Sequence, residues 1–195
     1  MMREDWSIIS DAKRAELFPI VLEAHNPRWK EYYAAESLFL REIFEDCVVR
    51  MSHIGSTAVA GLLAKPTIDI LLEISDDSEL QPITEKLLDA GYVVNNPKDD
   101  IVMYIKGYTP RGFEGQAVHI HVRYSADWGE LYFRDYLTLH ADVASEYERL
   151  KVRLKEQFTH DRDGYTDAKG AFIKKHTQQA RLEFPGRYTP EIKKN

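Results

Sequence analysis

The chain has 195 residues and a mass of 22.6 kDa, with 44% hydrophobic and 30% charged residues, which excludes a fibrous or disordered protein. One cysteine, Cys47, excludes an internally disulfide-stapled scaffold, and no apolar run reaches the ~18–20 residues of a membrane span. The net charge of −6 argues against a partner as long as duplex nucleic acid.

The first 18 residues read as a short amphipathic extension ahead of Pro19. Asn26 is a good helix N-cap and Pro27 suits a first helical turn, so a helix is expected over residues 28–46. Trp29, Tyr33, Leu40 and Phe44 fall near one face of it. Cys47–Ile54 is rich in Val and Ile and reads as a strand. Gly55–Gly61 is a loop of small residues, with a short helix expected to start near Ala58. Pro66 keeps Lys65 out of the helical region. TIDILLEI, residues 67–74, is a strand with Ile68, Ile70 and Leu72 on one face and Asp69, Leu71 and Glu73 on the other.

Residues 79–90 read as a helix closed by Gly91. Two short strands follow, over 92–95 and 102–106, then a turn-rich connection, TPRGFEG, over 109–115. AVHIHVR, residues 117–123, alternates cleanly and is a strand. The rest is helical, over about 127–140, 142–158 with Asp142 as cap, and 165–182. Pro185 and Gly186 end the expected packed region. The segmentation is therefore an extension over 1–19, a single domain over 20–184 and a tail over 185–195. Strands in the middle and helices around them give an α+β fold with one short mixed sheet flanked by helices.

Three groups of residues could carry chemistry. A strand ending in a Gly-Ser turn presents backbone N–H groups to an anion, with hydroxyls from Ser56 and Thr57 and a point charge from Lys65. Asp69 on the next strand would hold Mg²⁺ or another divalent cation against the same phosphates. The bland reading of this turn is a structural one in which Ser56 caps a helix. The second group is His119 and His121, whose i, i+2 spacing puts both rings on one strand face, for metal binding, phosphate orientation or acid–base work, or, in the bland reading, for hydrogen bonds to neighbouring carboxylates. His53 joins them if the strands are neighbours. The third is Arg134, a clamp for a carboxylate or phosphate, or simply half of an interhelical ion pair.

The charge is uneven along the chain. Residues 1–150 carry 15 basic and 26 acidic groups, whereas residues 151–195 carry 11 basic and 6 acidic. Lys151, Lys155 and Lys169 in that basic end read either as solvated helix surface or as a lid that brings positive charge to an anionic ligand. With no apolar leader at the N-terminus, the expected compartment is the cytoplasm.

The order HIGST–AVAGLLAKPTIDILLEI, HIHVR, FRDYL, YERLK and YTDAK, preceded by VLEAHNPRW, resembles the GrpB family over about residues 20–176. Ala60 stands where the family pattern has proline. The resemblance implies a nucleotidyltransferase-like fold of the polymerase-β superfamily. In active members of that superfamily a Gly-Ser turn holds a triphosphate, and three carboxylates, two of them a DxD pair, hold two Mg²⁺ ions. Carried over, Gly55 and Ser56 match the turn and Asp69 the first carboxylate. Leu71 stands at the second carboxylate, and Glu73 lies ~13 Å along the strand. Histidines occupy the strand that would give the third. The resemblance thus implies either nucleotidyl transfer from a nucleotide to a small acceptor, with His119 or His121 replacing a ligand or acting as base, or a catalytically degenerate module that binds a nucleotide or coenzyme.

Overall fold

The computed structural model describes residues 10–44, 47–98 and 101–190. In chain order the elements are α1 (Asp11–Leu17), α2 (Arg28–Ile43), β1 (Val48–Ile54), a 3-10 turn (Ser56–Ala58), β2 (Thr67–Ile74), α3 (Leu80–Asp89), β3 (Val93–Lys98), β4 (Ile101–Thr109) and β5 (Gly112–Tyr124). Four helices then follow: α4 (Gly129–Leu139), α5 (Ala141–Gln157), α6 (Arg162–Ala168) and α7 (Gly170–Glu183). The fold is α+β, a five-stranded mixed sheet flanked by helices, in the order β1-β2-β5-β4-β3. Among the described strands, only the β2–β5 pair is parallel.

Local chemistry sets most boundaries. Asn26 Oδ1 accepts the Arg28 amide at 3.0 Å, which gives α2 its expected start. Gly91 closes α3 at φ 86°, and Tyr92 N donates to Leu87 O at 3.0 Å. One sheet face carries the main core. Ile68, Ile70 and Leu72 of β2 and Val118, Ile120 and Val122 of β5 meet Trp29, Leu40 and Phe44 from the α2 segment and Ile83 and Leu87 of α3. Burying each such side chain contributes about 1.5–3 kcal/mol.

The opposite face is only partly polar. Leu71 is buried with Ile54 and Leu131, and Glu73 is buried against Arg50, so β2, an interior strand of the sheet, is covered on both faces. The C-terminal helices build a second core there around Tyr132, Phe133, Leu137 and Tyr147.

Five expectations are corrected. TPRGFEG is the end of a hairpin: Tyr108 pairs with Phe113 and Thr109 with Gly112, because Gly107, Gly112 and Gly115 take positive φ angles and let paired strands bend. No helix starts near Ala58, where a single 3-10 turn is followed by extended Val59. The last helix is two helices broken at Lys169–Gly170, and the first begins earlier, where Asp161 Oδ1 accepts the Gly164 amide at 2.8 Å. Asp142 lies in the first turn of α5, after His140 at the cap. Packing runs past Gly186 to Tyr188, whose amide donates to Tyr132 Oη at 3.3 Å and whose ring lies under Arg50.

Candidate functional site

Strand register assembles the site. Asp69 of β2 pairs with His119 of β5, and Leu71 pairs with His121. On the other edge of β2, Ile54 pairs with Asp69, so β1 delivers Gly55 directly onto the carboxylate. Gly55 has φ 72°, and a Cβ there would sit 2.5 Å from Asp69 Oδ2. Both the backbone conformation and the space require glycine.

Asp69 Oδ1 lies 3.2 Å from His119 Nδ1 and 3.5 Å from His121 Nε2. These three residues offer one ligand atom each, all within 4.8 Å of one another, and they form a candidate cation site. His119 Nε2 lies 2.8 Å from Tyr108 Oη, and Arg162 Nη2 donates to that same oxygen at 3.0 Å. Burial pushes the Asp69 carboxyl up, but the two histidines outweigh it and hold it well below the usual carboxylate range. Burial pulls His119 below its ordinary value, with Asp69 opposing.

Three lysines converge on the same face. Lys151 of α5 is 2% exposed, donates to Ser56 Oγ at 3.2 Å and to Leu63 O, and lies 4.8 Å above the Tyr147 ring. Lys65 and Lys169 lie on Tyr165, at 5.5 and 4.2 Å from its ring centroid. Burial lowers all three, Lys65 and Lys151 to about 7 and Lys169 to about 8; repulsion from Lys169 adds to this for Lys65 and Lys151, and repulsion from Arg162 for Lys65 and Lys169, while Asp69 and Glu148 oppose it. None of the three forms an ion pair with a carboxylate among the described residues. Arg162 likewise spends its guanidinium on Phe18 O and Tyr108 Oη. Lys65, Lys151, Lys169 and Arg162 thus outnumber the nearby carboxylates Asp69 and Glu148.

The structure therefore brings together Gly55, Ser56, Lys65, Asp69, His119 and His121, and adds Lys151 and Lys169 from the basic end. The solvated-surface reading of Lys151 is overturned, since it is among the most buried side chains in the molecule. Other candidates are turned elsewhere. Thr57 is buried and donates inward to Thr67 O at 2.9 Å, so its proton is committed to the fold. His53 Nε2 lies 3.1 Å from Thr57 Oγ1, and its ring stacks on Tyr33 at 4.7 Å. Burial lowers His53 to about 4, and it stands outside the Asp69–His119–His121 group. Arg134 bonds His53 O, Asp135 and Tyr188 Oη, a bracing role between α4, β1 and the chain end. Tyr108 and Arg162 were missed by sequence reading. Strict alternation would put Tyr108 on the Tyr104 face, away from the histidines; the register shift between Lys106 and Tyr108 turns it to His119, and Arg162 gave no signal either.

A two-ion carboxylate set does not fit these residues. Leu71 is fully buried in an apolar cluster, and Glu73 is occupied by Arg50 at 2.8 Å.

Comparison with known proteins agrees with the fold. A UPF0157 protein of Streptomyces coelicolor is 35% identical over 176 residues, covering 88% of this chain and 89% of that protein. The glutamate-rich protein GrpB of Alkalihalophilus pseudofirmus is 31% identical over 159 residues, covering 79% and 91%. The crystal structure of the conserved protein GrpB from Enterococcus faecalis superposes with a TM-score of 0.73 at 26% identity, covering 84% of this chain and 99% of that one. The family model described as GrpB protein matches residues 19–179. No helix among the described residues is long and apolar enough to cross a membrane. The chain belongs to the GrpB family.

Proposed function

We propose that the face around Asp69 binds a small phosphorylated ligand such as a nucleotide, and that the activity is transfer of a nucleotidyl group to a small acceptor. One observation carries the binding half: Lys151 on Ser56, and Lys65 and Lys169 on Tyr165, are buried side by side, and none of them makes an ion pair with a carboxylate among the described residues. Buried positive charge of this kind is costly until an anion arrives. Gly55 lets the chain pass close to Asp69, and Ser56 presents a hydroxyl that Lys151 holds in place. A single divalent cation on Asp69, His119 and His121 would sit beside the phosphates. The transfer half rests on the resemblance to nucleotidyltransferases, with Gly55, Ser56 and Asp69 at matching positions.

A second reading is a catalytically degenerate module that binds a nucleotide or coenzyme on the same surface. Leu71, buried where those enzymes carry their second carboxylate, favours it. Two measurements divide the readings. Thermal stabilisation by nucleotides and coenzyme A derivatives in the presence of EDTA tests the binding, which raises stability by mass action. Nucleotide turnover with added divalent cations, wild type against Asp69→Asn, tests the transfer. Stabilisation with turnover lost in the variant supports transfer, and stabilisation without turnover supports the module. No stabilisation by any of these ligands would refute both.

A further inference from the structure

The donor set at Asp69 is wrong for magnesium and right for another class of ion. Mg²⁺ takes oxygen ligands in near-octahedral geometry. Here one carboxylate is joined by two imidazoles, a set that suits late first-row transition ions.

The distances point the same way. A charge-assisted N–H···O bond is about 2.7–2.9 Å long. The two histidine contacts on Asp69 Oδ1 are longer, at 3.2 and 3.5 Å. They match the edge of a tetrahedron around an ion with bonds of about 2.0–2.1 Å, which is about 3.3–3.4 Å. The third edge lies within 4.8 Å, and ring rotation can shorten it. An outer partner is also in place. Tyr108 Oη, itself fixed by Arg162, lies 2.8 Å from His119 Nε2, the ring nitrogen turned away from Asp69. Histidines that bind metal generally give their other nitrogen such a partner, which fixes the ring and its tautomer.

Resting on the reading that the cleft holds a cation, we infer that Asp69, His119 and His121 form a site for a transition ion of the Zn²⁺ or Co²⁺ type in preference to Mg²⁺. Three protein ligands would leave a fourth position open to water or a ligand atom. Tyr108 is a positioning residue for His119.

The test uses untagged full-length protein, stripped of metal and dialysed against equal concentrations of Zn²⁺ and Mg²⁺, with bound metal counted by mass spectrometry. One Zn²⁺ per chain and no retained Mg²⁺ is expected, together with the visible absorption of tetrahedral Co²⁺ when Co²⁺ is the probe. His119→Ala and His121→Ala should each lose the stoichiometric ion. Tyr108→Phe, folded by circular dichroism, should weaken Zn²⁺ binding about 10- to 100-fold. Mg²⁺ held in place of Zn²⁺, Zn²⁺ retained in both histidine variants, or no ion of either kind would each overturn the inference. Nucleotide binding in EDTA is read separately, so failure of the metal site and failure of the anion site are distinguishable.

Discussion

Asp69 and Glu73 stand on the same face of the same strand, yet their surroundings are opposites. Glu73 is fully buried, takes a two-pronged contact from Arg50 and accepts the Ala126 amide at 3.3 Å. Its charge is matched and its lone pairs are used. Asp69 keeps 26% of its side chain exposed and faces two histidines, with Lys65, Lys169 and Arg162 beyond them. Four residues along one strand separate a closed ion pair from an open excess of positive charge. Folding explains the first arrangement; the second is the one we propose an anionic ligand completes.

The sharpest way to break this contrast is to remove a partner at the closed end. Arg50→Ala leaves Glu73 buried and unpaired, and should cost about 3–5 kcal/mol in chemical denaturation. A loss under ~1 kcal/mol would mean that Glu73 is not held by Arg50 in the way described. Next is Gly55→Ala, which forces a side chain into a positive φ and onto Asp69 Oδ2. Strain of about 1–3 kcal/mol is expected, together with weaker ligand binding. Unchanged stability and affinity would detach the turn from the site.

At the open end the sign should reverse. Lys65→Met keeps the length and apolar stem of the side chain and removes an unpaired cation. Stability of the ligand-free protein should hold or rise by up to about 1 kcal/mol. Affinity for a phosphorylated ligand should fall about tenfold, the loss of one charge-assisted contact. A stability loss like that of Arg50→Ala would show Lys65 to be structural.

A pH dependence follows from the same three lysines. Lys65 and Lys151 are lowered to about 7 and Lys169 to about 8, against an ordinary value of 10.5. Between those values the unfolded chain holds protons that the folded chain has released, so stability contributed by these groups rises with pH. The ligand-free protein should therefore gain in Tm from pH 6.5 to 9, and the stabilisation given by a bound nucleotide should shrink over the same window. A flat profile with and without ligand would place the lysines in water.

Much of this was legible in the sequence because it rests on period and local chemistry. The alternation of TIDILLEI and AVHIHVR put Asp69, His119 and His121 on defined strand faces, and the sheet then joined those faces through the β2–β5 pairing. What stayed hidden depends on contacts distant in sequence. Lys151 looks like any helix-surface lysine until α5 is laid over Leu63, whose carbonyl it caps and whose amide goes to Glu148 at 3.1 Å. Glu73 reads as a solvent-facing strand residue until Arg50 arrives from β1. Thr57 reads as a second hydroxyl for the anion, but the 3-10 turn rotates it inward to Thr67. The TPRGFEG stretch looks like a loop by composition, whereas its glycines serve the bends of a hairpin.

The uncompensated lysines are the central claim, and proton linkage reads them directly. Titration calorimetry of a nucleotide into the metal-free protein at pH 8, repeated in buffers of different ionisation enthalpy, measures protons taken up on binding. Net uptake is expected, because an anion restores the charged form of lysines lowered to about 7 and 8, and uptake should diminish in Lys65→Met and again in Lys169→Met. Absence of binding, or binding with no proton uptake and no change in either variant, would contradict it.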